Sequence, residues 1–185
     1  MMTTIETPRL RLRPLVASDL PDLIRLDSDP EVMRYVGSPA GVRSPAEIEE
    51  RARTRIREAE EGTHDPLGFW RVEGGDGAFH GLAALIRMPT GEDVELAYRL
   101  ARTAWGHGIA TEAAAALVAH AFGALGLPRL VAVTYPDNHA SQRVLAKLGF
   151  ERRGLTEYKG VRATYHVLTR ERWARDIDFD RAGPP

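Results

Sequence analysis

The chain contains no cysteine, which excludes a disulfide scaffold, a thiolate nucleophile and a cysteine-ligated zinc. Lysine is scarce: it stands only at Lys147 and Lys159, so 23 of the 25 cations are arginine. No apolar run approaches the roughly 18 residues a membrane helix needs. The opening MMTTIETPRLRLRP has no apolar stretch of signal-peptide type, so the expected setting is the cytoplasm. An excess of charge of either sign is also missing. The net charge is −1, which gives no bulk attraction to nucleic acid or to an anionic membrane. The histidines at 64, 80, 107, 120, 139 and 166 show no HExxH-type spacing, and no metal is expected.

What is present is the composition of one globular domain. The 185 residues are 43% hydrophobic and 28% charged, without repeats or low-complexity blocks. Residues 1–174 read as a single domain, with a loose tail over 175–185. Arg9–Leu15 alternates with period two and reads as a strand. Ser18–Ser28 is a short amphipathic helix, and Asp29-Pro30 opens another. Ser44-Pro45-Ala46-Glu47 is a capping box. The charged helix it opens, running to about Glu61, offers a narrow apolar face through Ala46, Ile48, Ala52 and Ile56 and reads as a peripheral helix or lid. Strands are expected at Leu67–Glu73, Phe79–Met88 and Val94–Leu100, forming an antiparallel meander. A long helix to about Leu125, a buried strand at Leu130–Thr134 and a helix at Asn138–Leu148 come next. Two final strands close the pattern, near Glu151–Lys159 and Arg162–Thr169. The fold class is mixed α/β (α+β), with a mostly antiparallel mixed sheet of about seven strands flanked by helices.

The segment Leu100–Glu112, LARTAWGHGIATE, follows a strand and opens a helix. Glycines two apart admit close backbone approach, and a helix N-terminus presents free N–H groups to an anion. A phosphate-binding P-loop would need Lys and Ser/Thr after the second glycine, where Ile109-Ala110 stand. A dinucleotide fingerprint would need another spacing and an N-terminal βαβ unit. A plain glycine loop without a ligand, or a nucleotide-binding regulatory module, stays open on this segment alone.

The segment Tyr135–Phe150, YPDNHASQRVLAKLGF, adds a second motif. Together the two resemble the GCN5-related N-acetyltransferases (GNAT), most closely the branch that includes ribosomal-protein alanine N-acetyltransferases. The matching residues are Trp105-Gly106-His107-Gly108-Ile109-Ala110, Asn138 with Ser141, and Lys147-Leu148-Gly149-Phe150. Glu95-Leu96-Ala97-Tyr98-Arg99-Leu100, Thr7–Arg13 and Leu168–Trp173 also fit, so the likeness spans roughly residues 5–174. It implies an acetyl-CoA-dependent N-acetyltransferase with a splayed sheet whose strands Val94–Leu100 and Leu130–Thr134 part around the thioester arm. Pantetheine would pair with backbone near Leu100 and Arg102. Pyrophosphate would sit on N–H groups of Gly106, His107, Gly108, Ile109, Ala110 and Thr111. Arg102 stands where the branch often has proline.

Acetyl transfer by direct attack needs a neutral amine, a proton for the thiolate and polarisation of the carbonyl. Ser141 shares a helix face with Leu145 and Leu148, and is the candidate acid near the sulfur and a coenzyme contact. An ordinary first-turn serine is the alternative. Asn138 caps that helix and is also a candidate coenzyme contact. Glu95 is the candidate base, against the simpler reading of a surface glutamate paired with Arg99. Glu112 reads as a first-turn acid favoured by the helix dipole. Tyr135 is a candidate for the acceptor pocket, while Tyr165 and the three tryptophans read as packing residues. The acceptor is a protein N-terminus or a small amine, selected by Asp29–Glu61 and the last hairpin. A homodimer is common in the family. The rival from another class is a CoA-binding sensor or interaction domain without catalysis.

Overall fold

The computed structural model describes residues 2–36, 43–89 and 91–175. The expected tail, apart from Arg175, and residues 37–42 of the expected acceptor-selecting region lie outside the described residues. Alternating leucine and arginine fold as β2 (Leu10–Pro14), preceded by the short β1 (Ile5–Glu6). A 3-10 turn leads into α1 (Leu20–Ser28), and α2 (Pro30–Met33) is capped by the Asp29 side chain. In α3 (Pro45–Glu61) the Ser44 and Glu47 side chains satisfy each other's backbone N–H groups, and Gly62 ends the helix at φ 66°. The meander follows as β3 (Gly68–Gly74), β4 (Phe79–Arg87) and β5 (Val94–Leu100). The rest is α4 (Ile109–Gly123), β6 (Arg129–Thr134), α5 (His139–Lys147), β7 (Glu151–Tyr158) and β8 (Val161–Thr169).

One sheet carries eight strands in the order β1-β2-β3-β4-β5-β6-β8-β7. The strand beyond the expected seven is β1, whose two residues are too few to show a period. Every neighbouring pair is antiparallel except β5 and β6, which run parallel and meet in register only at Glu95 and Val131. Past that point the two strands part. The opening therefore lies at their carboxyl ends, where α4 and α5 begin, the usual place for a ligand in a parallel arrangement.

Strand alternation assigns β5 to two different faces. Leu96, Tyr98 and Leu100 lie with Ala83 and Leu85 in the larger core, packed under Ala113, Ala114, Leu117 and Val118 of α4. The opposite face presents Glu95, Ala97 and Arg99, in register with Ile86, Ala84 and Leu82 of β4. Leu82 belongs to a smaller core with Leu23 and Leu26 of α1 and Ala52 and Ile56 of α3. Helix α3, expected as a peripheral helix or lid, is therefore packed onto α1. Of its expected apolar face, Ile48, Ala52 and Ile56 are buried and Ala46 is exposed. Arg55, which no apolar pattern would select, is buried beside them. Among the described residues no helix is long and apolar enough to cross a membrane.

Candidate active site

The parting of β5 from β6 opens a cavity of about 640 Å³. Of the residues expected in the site, Glu95, Leu100, Gly106, Gly108, Ile109, Ala110, Thr111, Tyr135, Asn138 and Ser141 line it together. Arg102 and His107 do not. The Arg102 guanidinium is turned to Asp29, with Nε 3.0 Å from Oδ2, which ties the approach to α4 to the cap of α2. The His107 ring is exposed and its Nδ1 lies 3.1 Å from the Trp105 carbonyl oxygen.

Glu95 is 5% exposed, and the alternative reading of a surface glutamate paired with Arg99 is not what forms. Its Oε2 instead accepts a hydrogen bond from the Tyr158 hydroxyl at 2.7 Å. Burial raises the Glu95 carboxyl above its ordinary value, while the Tyr158 hydrogen bond and the nearby Lys159 charge pull the other way. Tyr158 ends β7 beside the tight turn of Lys159 and Gly160, both with positive φ. That is the two-residue hairpin geometry that glycine permits. The last hairpin thus delivers a phenol to the strand that carries the carboxylate.

On the α4 side of β5, the Tyr98 hydroxyl lies 2.8 Å from Ser141 Oγ and 3.3 Å from the Ser141 carbonyl oxygen. Ser141 is placed by its own cap: the Asn138 side-chain oxygen accepts from the Ser141 N–H at 3.1 Å and starts α5. Burial pushes the Tyr98 phenol up to about 12, only partly offset by the Ser141 contact. At neutral pH Tyr98 is therefore a hydrogen-bond donor that keeps its proton. A Tyr98 phenol that gives its one proton to Ser141 Oγ would leave the Ser141 hydroxyl hydrogen for another acceptor.

The loop into α4 is built on backbone conformation. Gly106 and Gly108 both have φ of 78°, and Gly108 is the N-cap of α4. Space beside Gly106 is open, so a ligand can approach its backbone. The loop is tied to the N-terminal segment through Arg9, whose Nη1 donates to the His107 carbonyl at 2.9 Å. Glu112, in the first turn of α4, accepts from Thr7 Oγ1 at 2.6 Å and from the Arg9 N–H at 3.0 Å. Partial desolvation would raise Glu112, but these hydrogen bonds and the Arg9 charge hold it below the ordinary carboxylate range. Trp105, expected to pack, is 46% exposed; its indole N–H donates to the Leu100 carbonyl at 2.9 Å. Trp70 is fully buried. Tyr165 is half-buried instead of core, with its hydroxyl on Asp93 at 3.3 Å.

Sequence reasoning missed Tyr98, Tyr158 and the arginines of α3. The signal for Tyr98 was available, since it alternates with Glu95 on a strand. Nothing local marks Tyr158, because its role depends on a hairpin folding back over β5. Tyr135 packs against Tyr35 with ring centroids 5.8 Å apart and the rings tilted by 47°, bringing the loop after β6 to the segment after α2.

The cleft thus brings together a glycine loop at a helix start, an opening between parallel strands, and a buried carboxylate on the face of β5 opposite a hydroxyl pair. A family model for the acetyltransferase (GNAT) domain matches residues 9–151. The uncharacterized N-acetyltransferase YoaA of Bacillus subtilis (strain 168) is 32% identical over 163 residues, covering 84% of this chain and 86% of that protein. FsC-acetyl coenzyme A-N(2)-transacetylase of Aspergillus fumigatus (strain ATCC MYA-4609 / CBS 101355 / FGSC A1100 / Af293) is 31% identical, covering 93% of this chain and 78% of its own. The chain belongs to the GNAT acetyltransferase family and is an N-acetyltransferase. The branch suggested by the sequence is represented among similar folds. The ribosomal L7/L12 alpha-N-protein acetyltransferase RimL, solved in complex with coenzyme A, matches with a TM-score of 0.73 at 20% identity. That match covers 90% of this chain and 98% of the other.

Proposed function

We propose that this chain transfers an acetyl group from acetyl-CoA to an amine by direct attack within the cleft between β5 and β6. The observation that carries this reading is the two-sidedness of β5, with Glu95 on one face and the Tyr98–Ser141 pair on the other, at the point where the sheet opens. Acetyl-CoA supplies the acyl group as a thioester. The amine nitrogen bonds to the acyl carbon, the carbon–sulfur bond breaks, and the nitrogen gives a proton to Glu95, which passes it on to solvent; the sulfur leaves as a thiolate hydrogen-bonded by the Ser141 hydroxyl and takes its proton from solvent. Glu95 suits the first role because burial raises its carboxyl and makes it a stronger base than an exposed glutamate. Ser141 suits the second because its hydroxyl, held 2.8 Å from that of Tyr98, can donate a hydrogen bond to the departing sulfur. A thiolate is already a fair leaving group, so this help is the smaller of the two.

Backbone N–H groups from Gly106 to Thr111 would hold the pyrophosphate at the start of α4, with Asn138 beside them. His107 and Arg102 contribute through backbone only, since their side chains are turned elsewhere. The Leu100 carbonyl already accepts the Trp105 indole, so pantetheine would use the remaining groups near the end of β5. Tyr135, tilted against Tyr35 and lining the cleft, would flank the acceptor.

The test of the donor site is Gly108→Val. Its φ of 78° disfavours a side chain, and a Cβ would stand 3.3 Å from Arg9 Nη2. Acetyl-CoA affinity, read by isothermal titration, is expected to weaken by about tenfold or more, equivalent to roughly 1.4 kcal/mol. Wild-type affinity in a folded variant would place the phosphates elsewhere.

A further inference from the structure

We propose that the acceptor amine carries a carboxylate, bound by the arginines that α3 and β5 turn into the same cleft. This inference rests on the acetyl-transfer reading above. Arg51 and Arg55 are four residues apart on α3 and so share a helix face. Arg43 stands just before the cap of that helix, and Arg99 projects from β5 on the face of Glu95 and Ala97. All four line the cavity.

Among the described residues their charge is only partly compensated, with Glu47 acting on Arg43 and the one carboxylate of Asp27 facing Arg51, Arg55 and Arg99. Asp27 alone neutralises the buried pair: its Oδ2 accepts from Arg55 Nη1 at 2.7 Å and from Arg99 Nη2 at 3.1 Å. Among the described residues Arg43 and Arg51 make no hydrogen bond or ion pair. Glu31 lies at the exposed mouth and pairs with none of them. Burial, and then repulsion from Arg55, holds Arg99 down at about 9; partial desolvation, Arg55 and Arg43 hold Arg51 below its ordinary value. A solvated surface run would not show this crowding. The Arg55 guanidinium is also fixed over the Phe69 ring at 5.1 Å, so its orientation is set before any ligand arrives.

Guanidinium groups match a carboxylate through paired N–H donors. Arg99 and Glu95 are four residues apart on one strand, about 13 Å between their Cα atoms at the usual rise. The small Ala97 side chain lies between them. An amine at Glu95 and a carboxylate at the arginines are therefore two ends of one molecule lying along β5. The carboxylate can belong to an acidic residue near a peptide N-terminus or to a small amino acid whose amine and carboxylate are separated by several carbons.

The experiment uses two sets of matched acceptors. One contains peptides with Asp or Glu against Asn or Gln at the second and third positions; the other contains small amino acids against their carboxamides. In one set, kcat/KM is expected to be about tenfold or more higher for the acidic member. That set identifies the source, and the gap should narrow with added salt. Arg51→Gln, on the exposed rim, should close the gap, and the exposed Arg57→Gln, which does not line the cleft, should leave it intact. Equal rates for acid and amide in both sets, or a preference for the amide, would overturn the proposal. If no amine is acetylated, the acetyl-transfer reading fails, and the arginines are then read by thermal shift. Acids that raise Tm in wild type but not in Arg51→Gln support the anion site, and acids and amides with equal effect overturn it.

Discussion

Replacing Glu95 with Gln is expected to lower kcat by about 10² to 10⁴, the usual range for lost general-base help. Acetyl-CoA affinity should not change, because the groups proposed to bind it lie at the start of α4. The pH profile gives the sharper signature. In wild type, kcat/KM should fall as pH drops through the raised Glu95 value, above the roughly 4.3 of an ordinary glutamate. In the Gln variant that limb disappears, leaving only the titration of the amine acceptor itself. Tyr158→Phe sharpens the test. It removes a hydrogen bond that favours the charged carboxylate, so the Glu95 value should rise further and the acid limb should move to higher pH. A Glu95→Gln enzyme with wild-type kcat at every pH would assign the base to another group or to water. A Tyr158→Phe limb moving to lower pH would contradict the role given to the phenol.

Asp27→Asn is expected to cost about 3 to 5 kcal/mol of stability, the range for removing one partner of a buried ion pair. Asp27 holds two guanidiniums, Arg55 and Arg99, whose side chains are 9% and 11% exposed. Arg99 also stands 2.8 Å from Asp27 Oδ1 through Nε. Without the carboxylate, both cations stay buried next to Arg51 and Arg43. At about 2 to 4 °C per kcal/mol for a domain of this size, Tm should fall by roughly 6 to 20 °C. A carboxylate-bearing acceptor should recover part of that loss by restoring an anion. A Tm within about 2 °C of wild type, below the lower end of that range, would mean that the arginines are solvated in the folded protein.

Local rules carried most of the fold. The Ser44 capping box, the Gly149 stop after α5 and the alternation of β5 each depend on a few neighbouring residues, and each forms as its pattern indicates. The splay of β5 from β6 followed from the family likeness, since no local pattern encodes how far two strands remain paired. The site was legible where function sits on a motif, as in the α4 loop and Asn138–Ser141. It was not legible where a side chain's role comes from a partner distant in sequence. Tyr158 reaches Glu95 across 63 positions, and Asp27 reaches Arg99 across 72. Trp105 and Arg102 illustrate the same limit: one satisfies a strand-end carbonyl and the other a helix cap, and neither role is visible in residue type.

The most direct measurement is release of free thiol from acetyl-CoA by the wild-type protein, with and without an amine, alongside mass analysis of the amine. The two-sided cleft predicts thiol release that depends on the amine, is matched by one acetyl group gained per thiol, and collapses in Glu95→Gln while acetyl-CoA binding persists. Tight acetyl-CoA binding without amine-dependent thiol release, across peptide and small-molecule acceptors, would contradict the account and leave a CoA-binding module in place of the proposed enzyme mechanism.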